Sequence, residues 1–263
     1  MSSSSRQPVL FVGHGSPMNA IETTPWSRAW RTLGASLRTP KAILAVSAHW
    51  YGAGTFVTGQ AQPPTIHDFG GFPRALSEVQ YPAKGDPALA RRVADLVRTT
   101  PPTTLSSAWG LDHGTWSVLV HIREQADVPV IQLSLDARIP TSEHVEIGKR
   151  LAPLRNEGVL IVASGNVTHN LRHAMGVMRS GAPTTLVAWA KQFDDDVVAR
   201  LAARDTAGLS RLTDTEHGRM SHPTPDHWLP MLYAAGAGGD DAVSYPVEGF
   251  DLGSLSMRCV RWG

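Results

Sequence analysis

The sequence predicts an α/β fold: a three-layer α/β/α single domain with a largely parallel, mixed central sheet. Three observations carry this expectation. Four short apolar runs rich in β-branched residues stand at 9–12, 42–46, 130–135 and 159–163, and runs apolar on both faces suit strands of a parallel sheet covered on both sides. Segments with helical spacing lie between them, and strand alternating with helix builds three layers. No internal repeat or linker interrupts the 263 residues, a length that one core can serve.

The helical segments justify themselves locally. In "GDPALARRVADLVRTT" Asp86 is placed to cap, Pro87 to occupy the first turn, and Leu89, Val93, Leu96 and Val97 to form one stripe. The stretch 184–205 repeats the pattern with Leu186, Trp189, Phe193, Val197 and Leu201. The Gly-rich 236–239 is expected to be a loop before the last strand, "SLSMRCVRW". The opening "MSSSSRQ" has one basic residue and leads only into a five-residue apolar run, too short for a signal core or a membrane span. The expected organisation is a disordered tail over 1–7 and one catalytic domain over 8–263.

Composition narrows the function. With 24 Lys+Arg against 23 Asp+Glu the chain lacks the basic footprint that nucleic acid or an anionic membrane demands. The single cysteine, Cys259, has no partner for a disulfide or a zinc pair, so a reducing cytoplasm is the expected compartment. Eleven histidines are the unusual count, and many sit beside Gly, Pro, Ser or Asn, in the loops where function concentrates.

Several of these histidines directly follow predicted strands: His14 after "VLFVG", His49 after "ILAVSA", and His169 in "SGNVTHN" after "LIVA". In open α/β sheets ligands bind outside the carboxyl ends of the strands, and neutral imidazoles held there make a site for one divalent ion with positions left open for substrate. For the third ligand "SHPTPDHWLP" offers His222 and His227. His227 is preferred because Asp226 and the neighbouring prolines fix it; Thr224 is a candidate cap, Pro225 a candidate helix start, and Pro230 makes that helix short, kinked or late. "WGLDHGTW" places His113 beside Asp112, which reads either as a carboxylate able to orient it or as the former of a plain turn. "PPTIHDFGGFP" reads as a lid loop with His67, Asp68, Phe69 and Phe72, or as an ordered surface loop. Ser16 and Ser164 lie outside any G-x-S-x-G elbow, and no dinucleotide or phosphate loop is present.

Taken in order, "GHGSPM", "VSAHW", "TIHDFGGFP", "LDHGTW", "SGNVTHNL", "HPTPDHWLP" and "SLSM" resemble the DODA-type extradiol aromatic ring-opening dioxygenases, relatives of the catalytic subunit of protocatechuate 4,5-dioxygenase. The resemblance implies one divalent metal ion per chain, Fe(II) for dioxygenation, with His14, His49 and His227 as ligands. It implies His169 as the acid/base group, counted in some members as a fourth ligand, and His113 as a second catalytic histidine of the pocket. Phe72, Trp50 and Trp116 are candidate substrate contacts, each equally well placed to be core, and His67 is a further candidate contact from the loop. The implied reaction opens the ring of a catechol such as 3,4-dihydroxyphenylalanine with O2 to a semialdehyde. The wider extradiol class uses two histidines and a carboxylate; three histidines also suit Zn(II). A zinc-dependent hydrolase on the same site and a non-catalytic metal-binding protein are therefore the rival readings. The implied partners are a small aromatic diol and O2, with neither nucleic acid nor membrane. Arg74, Arg172 and Arg219 are the arginines available for a substrate carboxylate.

Overall fold

In the computed structural model residues 6–181 and 184–263 are described. Most of the expected tail lies outside them. Its last two residues are tied down: Arg6 pairs with Asp241 at 2.9 Å, and the Gln7 amide donates to the Arg155 carbonyl at 2.9 Å.

The strands are β1 (Val9–Gly13), β2 (Ala42–Gly52), β3 (Phe56–Thr58), β4 (Thr104–Ser106), β5 (Val130–Asp136), β6 (Val159–Gly165), β7 (Val243–Val247), β8 (Phe250–Asp251), β9 (Leu255–Ser256) and β10 (Cys259–Trp262). The helices are α1 (Pro25–Ser36), α2 (Arg74–Ser77), α3 (Pro87–Val97), α4 (His113–Ile122), α5 (Thr141–Leu151), α6 (Leu171–Ser180), α7 (Ala188–Ala202), α8 (Thr206–Arg211), α9 (Glu216–Ser221) and α10 (Leu229–Gly238). One eight-stranded mixed sheet runs β4-β3-β5-β2-β6-β1-β10-β7. Its centre, β5-β2-β6-β1, is the four predicted runs, all parallel. The edges depart from parallel: β10 and β7 return antiparallel on one side, and β3 lies antiparallel to β5 on the other.

Period-two alternation divides the core. Val9, Phe11, Leu44 and Val46 face the layer that holds α3, α5, α7 and α10, whereas Leu10, Val12, Ile43 and Ala45 face the layer of α1 and α4. Asp86 caps α3 by accepting from the Ala88 and Leu89 amides, as expected. The second predicted helix is shorter than 184–205: it begins at Ala188 and buries Phe193, Val197 and Leu201, leaving Leu186 exposed.

The Gly-rich segment is not a loop. Gly236 and Gly238 lie inside α10, where a Cβ on Gly236 would stand 2.2 Å from the Val145 carbonyl of α5 and one on Gly238 2.3 Å from the Trp262 ring. The glycines are there because two helices and a strand approach too closely for side chains. Helix α10 starts late, at Leu229, with Pro230 in its first turn and Trp228 rather than Thr224 at the cap position. Among the described residues no helix is long and apolar enough to cross a membrane.

Candidate metal centre

Because the four central strands are parallel, their carboxyl ends share one edge, and the histidines gather there. His14 follows β1 directly. Gly13 precedes it because a Cβ at that position would lie 2.9 Å from backbone atoms of Ser256 and Met257; Gly15 follows with φ +58° against the Met257 sulfur. His49 is not after its strand but inside β2, in an irregular stretch where pairing with β5 slips between Val46 and Tyr51. Such a bulge re-aims a side chain at the cost of ladder hydrogen bonds. Gly114 makes room for that ring, since a Cβ there would meet His49 Cδ2 at 2.6 Å. His227 sits in the turn before α10, held by its carbonyl, which accepts from the Asn166 amide at 3.0 Å.

The rings converge. The donor atoms of His14, His49 and His113 lie within 4.8 Å of one another. The His227 ring is 5.1 Å from His14 and 5.0 Å from His49, centre to centre, while His113 is 6.0 Å from His14 but only 3.7 Å from His49. His169 stacks parallel on His227 at 3.4 Å.

Hydrogen bonds fix the tautomers. The Ser164 hydroxyl donates its one proton to the Gly114 carbonyl at 2.5 Å, so at 2.9 Å it must accept from His14 Nδ1–H. His227 Nδ1–H donates to Asp226 Oδ2 at 2.5 Å. Asp68 serves two rings: Oδ1 accepts from His113 Nδ1 at 2.9 Å, and Oδ2 lies 3.3 Å from His49 Nδ1. The Nε2 atoms of His14, His113 and His227 are then bare. His14 Nε2 faces His49 Nε2 across 3.2 Å. Two nitrogens sharing one ion at about 2.0–2.1 Å in tetrahedral array stand ~3.3 Å apart, close to that separation. The donor set and its carboxylate and hydroxyl supports fit a divalent metal.

Electrostatics agree. Burial first, and then the neighbouring imidazoles, hold His14 and His227 well below the usual histidine range. Burial, followed by His113, brings His49 to about 3, and burial followed by His222 does the same for His169. All four are therefore neutral at pH 7 and ready to ligate or to accept a proton. Burial alone would raise Asp68, but the His113 hydrogen bond and the two rings it faces outweigh that and keep it ionised.

The other expected residues divide. Phe72 is exposed on the 63–73 loop and packs edge-on against Phe69, which in turn lies 5.4 Å from His113. Trp116 is wholly buried beneath Phe69, its indole N–H donating to the Ile66 carbonyl at 2.8 Å; it supports the loop and does not line the cleft. His67 bonds the Val79 carbonyl through Nε2 at 2.9 Å, with its ring edge-on to Phe69 at 5.8 Å. Trp50, one residue past His49, takes the opposite side of the strand and stacks between Phe56 and Trp109. His222 donates to the Val167 carbonyl at 2.7 Å and packs on Phe193 and Trp228, whereas the His227 ring lies beside His14 and His49. Asp112 does not orient His113: it caps α4 and binds Gln132 and Trp109. Asp68 does that work from a loop 45 residues upstream.

Asp68→Asn is expected to preserve the fold and to weaken metal affinity or turnover by about 10–100-fold, the usual cost of losing an outer support. Metal titration of the purified variant measures it, and wild-type affinity with wild-type turnover would remove Asp68 from the site.

Known proteins place the chain. Residues 10–254 match the family described as the catalytic LigB subunit of aromatic ring-opening dioxygenase. A protein from Escherichia coli K12 called 4,5-DOPA dioxygenase extradiol is 47% identical over 99% of this chain and 96% of its own length. A Beta vulgaris protein of the same name is 34% identical, covering 96% and 95%. The crystal structure of an uncharacterised protein from E. coli K12 superimposes with a TM-score of 0.84 at 42% identity, covering 98% of this chain and all of the other. The chain belongs to the family of the catalytic LigB subunit of aromatic ring-opening dioxygenases: it is a metal-dependent enzyme that cleaves an aromatic ring with dioxygen.

Proposed function

We propose that residues 8–263 act as one Fe(II)-dependent extradiol dioxygenase domain that opens catechols of the 3,4-dihydroxyphenylalanine class, with His14, His49 and His227 as the metal ligands. The observation that carries the metal assignment is the facing pair of Nε2 atoms of His14 and His49 at 3.2 Å, close to the spacing of two nitrogens on one ion. His227 is preferred to His113 as third ligand because its ring stands equally far from both others. The names of the E. coli and Beta vulgaris relatives support the substrate class. Iron is preferred to zinc because the reaction reduces O2, and zinc has no redox chemistry to offer.

When bound, the ion supplies Lewis acidity toward the catechol hydroxyls and redox chemistry toward O2. The chain supplies the rest. His169, neutral and stacked on His227, has no hydrogen-bond partner for its ring among the described residues, and it lines the adjoining cleft. It takes the phenolic proton as base and returns it as acid. His113, fixed through Nδ1 by Asp68, presents Nε2 to the substrate from the other side. Phe72 and Phe69 cover the ring from the loop. In the balanced reaction the ring C–C bond beside the diol breaks and both atoms of O2 enter the product. The lone, buried Cys259 suits a reducing cytoplasm.

The test is a metal exchange. Protein stripped of metal, reloaded with Fe(II) under argon, mixed with a catechol and opened to air should consume oxygen and form a coloured product, whereas Zn(II)-loaded protein should do neither. Turnover with zinc, or under argon, would establish the hydrolase reading instead.

A further inference from the structure

A cleft of about 580 Å³ opens beside His169, within the size range of small-molecule sites. Its walls are the start of α6 and the end of α9, and two contacts clamp them together: the His169 amide donates to the Ser221 carbonyl at 2.9 Å, and Asn170 Nδ2 to the Met220 carbonyl at 2.7 Å. The cleft carries two kinds of surface. Leu171, Met220 and Pro223 are apolar, and Arg172 and Arg219 are cationic.

Among the described residues no acidic side chain lines this cleft and neither guanidinium is ion-paired. One Arg219 nitrogen is held by the Asp214 carbonyl, which restrains the head while leaving its other N–H groups available. Two guanidiniums without an ion-pair partner among the described residues share this lining with apolar side chains and the acid/base histidine, a combination suited to an apolar molecule ending in a carboxylate.

We propose that Arg172 and Arg219 bind the side-chain carboxylate of the catechol, making them the specificity-determining residues of this enzyme. The proposal rests on the catechol reading and deepens it. It also states what is not recognised: with no carboxylate in the cleft, a substrate ammonium group has no partner there. The preferred substrate class is therefore an aromatic diol with a carboxylate-bearing side chain, with or without an amine.

The experiment compares four catechols on Fe(II)-loaded full-length protein: 3,4-dihydroxyphenylalanine, 3,4-dihydroxyphenylpropionate, dopamine and 4-methylcatechol. The two carboxylates should show KM values about 10–100-fold below those of the other two, the range that charge-assisted hydrogen bonds produce. Arg172→Gln and Arg219→Gln should each shrink that ratio through KM, Arg219→Lys should keep part of it, and the double Gln variant should bring it close to one. Calorimetric binding of 3,4-dihydroxyphenylpropionate to Zn(II)-loaded wild type and variants should follow the same order, which separates recognition from loss of turnover. Ring opening without a carboxylate preference, or a preference that survives in the double variant, would overturn this proposal alone. No ring opening of any of the four would overturn the catechol reading and this proposal with it.

Discussion

His14→Ala is expected to yield folded protein that holds no stoichiometric metal and opens rings at least ~10³-fold more slowly than wild type, a larger loss than the 10–100-fold typical of an outer-shell change. The fold should survive because β1 remains paired on both sides and the Ser164 hydroxyl keeps its bond to the Gly114 carbonyl. What disappears is one of the two Nε2 atoms facing each other at 3.2 Å, and with it one of the donors a cation needs there. Circular dichroism establishes the fold and elemental analysis the metal. His227→Ala should behave alike, whereas His113→Ala should keep its metal. If His113→Ala loses metal and His227→Ala retains it, the third ligand is His113.

His169→Ala has the opposite signature. Its ring stacks on the far partner His227 at 3.4 Å rather than converging with His14 and His49 as the His227 ring does, so metal content should stay near wild type. Turnover should fall by about 10²–10⁴-fold, the contribution of a positioned acid/base group. The loss should lie in kcat, and the limb of the pH–rate profile that reports the base should vanish. Metal loss in proportion to activity would make His169 a ligand.

The readability of this chain follows the range of the forces involved. The strands β1, β2, β5 and β6 and helix α3 are legible because each is written in its own periodicity and caps, which are local. The gathering of His14 and His49 is legible because parallel strands must bring their carboxyl ends together, and that of His227 because Asp226 adjoins it and holds its ring. The partner of His113 is not: Asp112 is adjacent in sequence, but its oxygens are consumed in capping α4, and Asp68 arrives only when the loop 63–73 closes over the site. Trp116 carries the same aromatic signal as Phe72, yet the first is wholly buried and the second exposed, and burial depends on packing that no short segment encodes. Gly236 and Gly238 look like a loop in sequence; they are a helix whose glycines exist for the neighbours they touch.

The central claim is dioxygenation at this histidine cluster, and the most direct measurement is stoichiometry. Fe(II)-loaded protein given a limiting amount of 3,4-dihydroxyphenylalanine in an oxygen electrode should consume one mole of O2 per mole of ring-opened product, release no peroxide, and place label from ¹⁸O2 in the new carboxylate. Product formed without oxygen uptake, or with label drawn only from water, would contradict it.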